Sequence, residues 1–265
     1  MPAPSRSGPI LIDPTLLMAA QVVDDLERTR IANENRLRQM TRDVEDSDGN
    51  ERGFGLDESH PDVARLAGIV AAIADLEHQA VLGLQRAMRR HPLGPWVKAQ
   101  KGVGEKQAAR LLAAVGDPYW NTLHGRPRTV SELWAYCGLH TLPAGHVRTD
   151  TQEARADGDK LRDPGHQSTD AHIHPTQVAA RRRKGQRANW STDAKMRAYL
   201  VAVSCMKAPG SPYRDVYLAR REHTAATHPE WTPGHSHNDA LRITAKAILR
   251  GLWVASRDLY EGADA

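Results

Sequence analysis

Two long stretches of helical periodicity, separated by one short breaker, constrain this chain more than any other feature. From Pro14 to about Arg42 no proline or glycine follows the start, and Leu17, Val22, Leu26, Ile31, Leu37 and Met40 recur among charges at helix-like intervals. The polar run Asp46-Ser47-Asp48-Gly49-Asn50-Glu51-Arg52-Gly53 then interrupts the pattern. A second helix is expected from about Pro61, where Leu66, Ile69, Ile73, Leu76, Ala80, Leu84 and Ala87 or Met88 form a stripe spaced by threes and fours. Two such helices joined by a short loop predict an antiparallel helical hairpin or coiled coil over residues 1–90. An arm of that kind also offers a surface through which two copies associate.

The breaker cluster His91-Pro92-Leu93-Gly94-Pro95 marks the expected boundary between this arm and a second domain, 91–265. Arg148 to about Ala188 lacks an apolar period, carries Gly158, Pro164, Gly165 and Pro175, and reads as a mobile insertion. Three helices follow. One is capped by Ser191 and runs to about Met206, one opens at Ser211-Pro212, and one opens near Asn238-Asp239 and runs to about Tyr260. No strand alternation of convincing length occurs, so the expected class is all-α: the arm plus a compact multi-helix domain.

At 265 residues the chain can bury a substantial core without metals or disulfides. Its two cysteines, Cys137 and Cys205, have no ligand or disulfide spacing, which fits a reducing cytoplasm. The N-terminus lacks the layout of a secretory signal, and no run approaches the roughly 18 apolar residues of a membrane span. No membrane is therefore expected as a partner. Charge divides unevenly: residues 1–90 hold 11 Lys and Arg against 15 Asp and Glu, whereas residues 91–265 hold 25 against 17. An anion-binding surface is expected in the second part.

Within that part, residues Trp96 to Gly116 have the form helix, Gly102-Val103-Gly104, helix, the layout of a helix-hairpin-helix motif. Glycines let the backbone turn without a Cβ in the way, and Val103 can tuck among Val97, Ala108, Leu111 and Leu112. The N–H groups of the turn and of the next helix, up to Gln107, then point outward toward a phosphate, with Lys101 and Lys106 flanking it. Contact of this kind reads backbone and not bases, so it is sequence-tolerant and salt-sensitive. The plain alternative is a tight turn between two helices.

Beyond this motif lie Val115-Gly116-Asp117, then Ser131-Glu132-Leu133-Trp134-Ala135-Tyr136-Cys137-Gly138-Leu139, then Arg182-Arg183-Lys184-Gly185, Met196-Arg197-Ala198-Tyr199-Leu200, Ser211-Pro212-Tyr213 and a helix from Ala240 to Trp253. In this order, residues from about Trp96 to Asp258 resemble the C-terminal domain of the insertion-sequence one-ten (IS-110 type) transposases, the DEDD group guided by a structured RNA. The resemblance implies DNA or RNA binding, and a coiled coil before the domain. Residues 1–90 leave no room for the family's nuclease-like domain with its four metal-binding carboxylates. Ala144 stands where the family places a nucleophilic serine, and alanine has no hydroxyl to attack a phosphodiester. The expectation is a DNA-binding relative without catalytic residues or cofactor, nucleoid-associated, accessory to a mobile element or phage. Its partners would be DNA, a structured RNA or a partner recombinase. Two other readings stay open: a recombinase subunit completed by another chain, with Ser168 or Thr169 as nucleophile, and a helical protein-interaction module.

Arg181, Arg182, Arg183, Lys184 and Arg187 place five positive charges in seven residues beside Trp190. The arginines read as phosphate contacts or as a solvated run, and Trp190 as the start of the next helix's core, with base stacking the alternative. His166, His172 and His174, and again His228, His235 and His237, lack the cysteine or carboxylate that would complete a metal site, so no metal is expected. Trp96, Trp120, Trp134, Trp231 and Trp253, with Tyr136, Tyr199, Tyr213 and Tyr217, read as core.

Overall fold

Asp13 starts the first helix. Its carboxylate accepts the amides of Thr15 and Leu16 at 2.8 and 3.2 Å, and Pro14 takes the first helical position, where no N–H is needed. In the computed structural model, which describes residues 11–45, 49, 51–143, 177–180, 185 and 187–263, this helix is α1 (Pro14–Thr41). A small ribbon of β1 (Val44–Glu45) and β2 (Glu51–Arg52) reverses the chain, and α2 (Pro61–Arg90) returns along α1. At 1.5 Å per residue each helix is about 45 Å long. The hairpin is antiparallel. At its base the buried His91 ring donates from Nε2 to the Leu11 carbonyl at 3.0 Å and accepts the Leu93 amide at Nδ1. At its tip the Phe54 and Leu56 amides donate to the Gln39 and Met40 carbonyls.

The seam between the two helices is not the one expected from apolar residues alone. On α1 Leu26, Leu37 and Met40 are sheltered as expected, together with Leu16, Ala20, Val23, Glu27, Arg30 and Glu34, while Leu17, Val22 and Ile31 are exposed. On α2 Leu66, Ile73, Ala80 and Leu84 face inward as expected, but Ile69 and Leu76 are exposed and Glu77 is buried in the seam. Charge pairing explains the shift: Arg30 Nε donates to Glu77 at 2.6 Å and Arg30 also holds Glu34 at 2.7 Å. Apolar content makes α2 the one described helix long and apolar enough to cross a membrane by length and composition.

The remaining helices are α3 (Gly94–Ala99), α4 (Glu105–Val115), α5 (Val130–Tyr136), α6 (Thr192–Lys207), α7 (Pro212–Thr227) and α8 (Pro233–Ala263). α4 lies between the arm and α6, α6 packs on α8, and α7 pairs with α8. A single apolar cluster runs from Leu11, Leu16 and Val23 through Leu84, Met88, Leu93 and Leu111 to Val201, Leu241, Ile248 and Leu252. The base of the arm is thus part of the core, and the breaker at 91–95 is a turn within it. The class is all-α. Against the expectation of no strands, three two-stranded antiparallel ribbons occur among the described residues: β1 with β2, β3 (Trp120–Asn121) with β4 (Arg126–Pro127), and β5 (Thr141–Pro143) with β6 (Gln177–Ala179). The last ribbon corrects the end of the expected insertion, because Gln177–Ala179 is paired and Ala180 is buried. Residues 144–176 lie outside the described residues.

α8 begins five residues before the expected Asn238-Asp239 start. Pro233 opens it and the Thr232 hydroxyl accepts the His235 amide at 3.3 Å. The Asp239 carboxylate is instead bound by Arg220 at 2.6 Å and Arg242 at 2.7 Å, tying α7 to α8. Burial pushes its pKa up, but the hydrogen bonds from Arg242 and Arg220 outweigh this and hold it below the usual carboxylate value.

Asp24 joins three helices. Arg110 on α4 and Arg197 on α6 are both nearly fully buried and both bind its carboxylate, with Glu27 a second partner of Arg110 at 2.5 Å. Removing Asp24 leaves two buried guanidinium groups short of an acceptor. Asp24→Ala is expected to lower the unfolding free energy by about 3 kcal/mol in urea denaturation, whereas Asp25→Ala, on the exposed face, changes it by less than about 0.5 kcal/mol.

Candidate nucleic-acid interface

α3 ends at Ala99, and the Gln100 and Val103 backbones close a turn, the Val103 amide donating to the Gln100 carbonyl at 3.1 Å. Val103 is buried in the same cluster as Val97, Ala108, Leu111 and Leu112. The two glycines play unequal parts. Gly102 has φ +95°, and a Cβ there would lie 2.9 Å from the Cα of Cys205 and 3.0 Å from the Cβ of Ala208, so the turn sits directly on the end of α6. Gly104 has φ −78° and open space around it, and no side chain caps the first turn of α4 that it opens. The amides of that first turn have no intrahelical partner, which leaves a solvent-facing positive helix end.

Lys101 is exposed and lies over Gly210, where a Cβ would come 3.0 Å from its Nζ. Lys98 on α3 and Lys207 in the last turn of α6 are also exposed, and none of the three has a carboxylate within ion-pair distance among the described residues. Lys106 is turned the other way. Its Nζ lies 3.4 Å from Glu27 and 3.7 Å from Glu77, so its charge is balanced by the arm and does not flank the turn. Gln107 is half-buried, and its Oε1 has no hydrogen-bond partner. Glu105 brings one carboxylate to the helix start, and Arg89 neutralises it at 2.7 Å.

The basic run is placed only in part. Arg187 is exposed, whereas Arg181, Arg182, Arg183 and Lys184 lie outside the described residues. Trp190 is half-buried and covers Gly138: with φ +62° there, a Cβ would come 2.4 Å from the indole. Its ring also meets His140 edge-on at 5.7 Å. Of the aromatics expected in the core, Tyr136 and Tyr199 are exposed. Trp134 and Trp253 are half-buried and donate from Nε1 to the carbonyls of Lys246 and Arg128 at 3.0 and 2.9 Å.

The His228 ring stacks on Trp231 at 4.2 Å, and His237 shares a 2.7 Å hydrogen bond with Tyr217. Among the described residues no three histidine, cysteine or carboxylate side chains gather closely enough to hold a metal ion. His166, His172, His174, Ala144, Ser168 and Thr169 lie outside the described residues. Burial pushes the thiols of Cys137 and Cys205 up to about 12 and about 11, so neither is a thiolate at neutral pH.

Comparison with family models, with curated proteins and with solved structures finds no match for this chain.

The unequal glycines give a test of the turn. Gly102→Ala is expected to cost about 2 kcal/mol or more, through a positive φ and a clash with α6 backbone, while Gly104→Ala costs under about 1 kcal/mol. Thermal unfolding of the two variants checks the contrast; equal effects would mean that Gly102 does not sit against α6.

Proposed function

We propose that the chain is a nucleic-acid-binding protein that grips the sugar-phosphate backbone at the Gly102-Val103-Gly104 turn, without catalysis of its own. The observation that carries this reading is the uncapped, open start of α4 at Gly104, set beside the exposed and unpaired Lys98, Lys101 and Lys207. Backbone amides at a helix start and nearby ammonium groups together favour a phosphate. The net positive charge of residues 91–265 supports the same face by long-range attraction. The order of motifs from Trp96 to Asp258 supports kinship with the C-terminal domain of IS-110 type transposases, and Ala144 supports a non-catalytic role; in this reading the chain is accessory to a mobile element or phage and acts on its DNA in the cytoplasm.

The arm supplies assembly in this reading. Met18, Val22 and Ile31 on α1 and Ile69 and Leu76 on α2 are exposed apolar side chains on the outside of the hairpin, a surface suited to a second copy or a partner recombinase.

Duplex DNA binding measured across a salt series tests the proposal. Affinity is expected to fall linearly in log-log form with salt, and Lys101→Gln should reduce the slope by about one with no loss of folding. Lys106 is left intact in that variant because it anchors the arm. Binding that ignores salt, or a Lys101→Gln protein with the parental slope, would reject the turn as the phosphate clamp.

A further inference from the structure

A groove of about 740 Å³ opens beside the turn, between α3, α5, α7 and α8. Trp96 and Trp134 supply aromatic wall, and Gln100, which closes the Gly-Val-Gly turn, also lines the groove. On its α8 side lie Lys246 and Arg250. Among the described residues neither has a carboxylate within ion-pair distance, whereas the other two arginines of α8 do: Arg242 holds Asp239 and Arg257 holds Asp258. Lys246 Nζ sits 4.8 Å from the Trp134 ring centre, a cation over an aromatic face. Gly251 forms part of the floor. A Cβ there would reach within 2.9 Å of the Tyr213 hydroxyl and 3.2 Å of the Trp96 ring, so glycine is what lets Tyr213 and Trp96 pack directly against α8. The Tyr213 hydroxyl lines the groove, and burial pushes its pKa up to about 12, which keeps it a neutral donor. Asp258 closes one end with its charge balanced by Arg257 at 2.7 Å.

The chemistry of this lining is specific in kind. Two indoles offer faces or edges to a flat ring, an amide and a phenol offer hydrogen bonds, and two unpaired cations call for an anion. A nucleotide has all three counterparts. A base stacked inside a duplex cannot reach such a groove, whereas an unpaired base can. We propose that the groove receives one unpaired nucleotide, its base against Trp96 and Trp134 and its phosphate on Lys246 and Arg250, so that the chain binds single-stranded or locally opened nucleic acid. The inference rests on the nucleic-acid reading above and adds the form of the strand. Continuity through Gln100 lets one strand pass from the turn into the groove.

The test uses the full chain, an unpaired thymidine oligonucleotide of about ten residues and a blunt duplex, followed by anisotropy and by tryptophan fluorescence. The single strand is expected to bind more tightly and to quench the tryptophans, and the Lys246→Gln/Arg250→Gln double variant to lose about tenfold or more for the single strand while duplex affinity stays within about twofold. Arg250→Gln alone, at an exposed position, should lose part of the same affinity and controls for folding. Duplex binding that depends on Lys101, with no preference for the single strand and no effect of the double variant, overturns the groove and leaves the turn standing. Single-strand binding with quenching but no duplex binding supports the groove and overturns the turn as a duplex clamp. Absence of binding to both at low salt overturns both.

Discussion

Two arginines buried among helices need one carboxylate, and the arrangement of the whole molecule follows from where that carboxylate sits. Arg110 and Arg197 come from α4 and α6, and Asp24 reaches both from the middle of α1. Charges withdrawn from water are tolerated only with partners in good geometry. The arm therefore cannot swing free of the remaining helices. Glu27, Arg30, Glu77 and Lys106 extend the same network along the seam. The network fixes register where apolar contacts, being non-directional, would not.

This network also decides what the candidate interface contains. Lys106 is held toward the arm by Glu27 and Glu77, which leaves Lys101, at the turn itself, as the exposed charge. Lys207, from a different helix, is brought near the turn because Gly102 packs on the end of α6. The resulting face is assembled from α3, α4 and α6, and its neighbour, the Trp96 and Trp134 groove, adds α5, α7 and α8. The turn and the groove thus share an edge through Gln100, although their residues are scattered over more than 150 positions of the chain.

Local chemistry was readable where a residue acts on its near neighbours. Pro14, Pro61, Ser191 and Pro212 mark helix starts because capping and the missing proline N–H act within one turn. Val103 reads as core because it sits between helical apolar positions on both sides. The start of α8 is not marked in this way. Asn238-Asp239 has the composition of a cap, yet Asp239 is claimed by Arg220, 19 positions earlier, and by Arg242. Leu76 and Glu77 were exchanged across the seam likewise, since hydropathy ranks leucine inward and says nothing about Arg30.

The sequence by itself determined the helical class, the hairpin arm and the position of the Gly-Val-Gly turn, because periodicity, capping and glycine's freedom are properties of residues a few places apart. Only the tertiary structure decided which face of each arm helix is buried, which lysine remains free, and that Trp96, Trp134, Lys246 and Arg250 line one groove. Those outcomes depend on ion pairs and contacts between residues tens to more than a hundred positions apart. Such pairings carry no local signature in one sequence, since electrostatic and packing energies depend on distance in space and not along the chain.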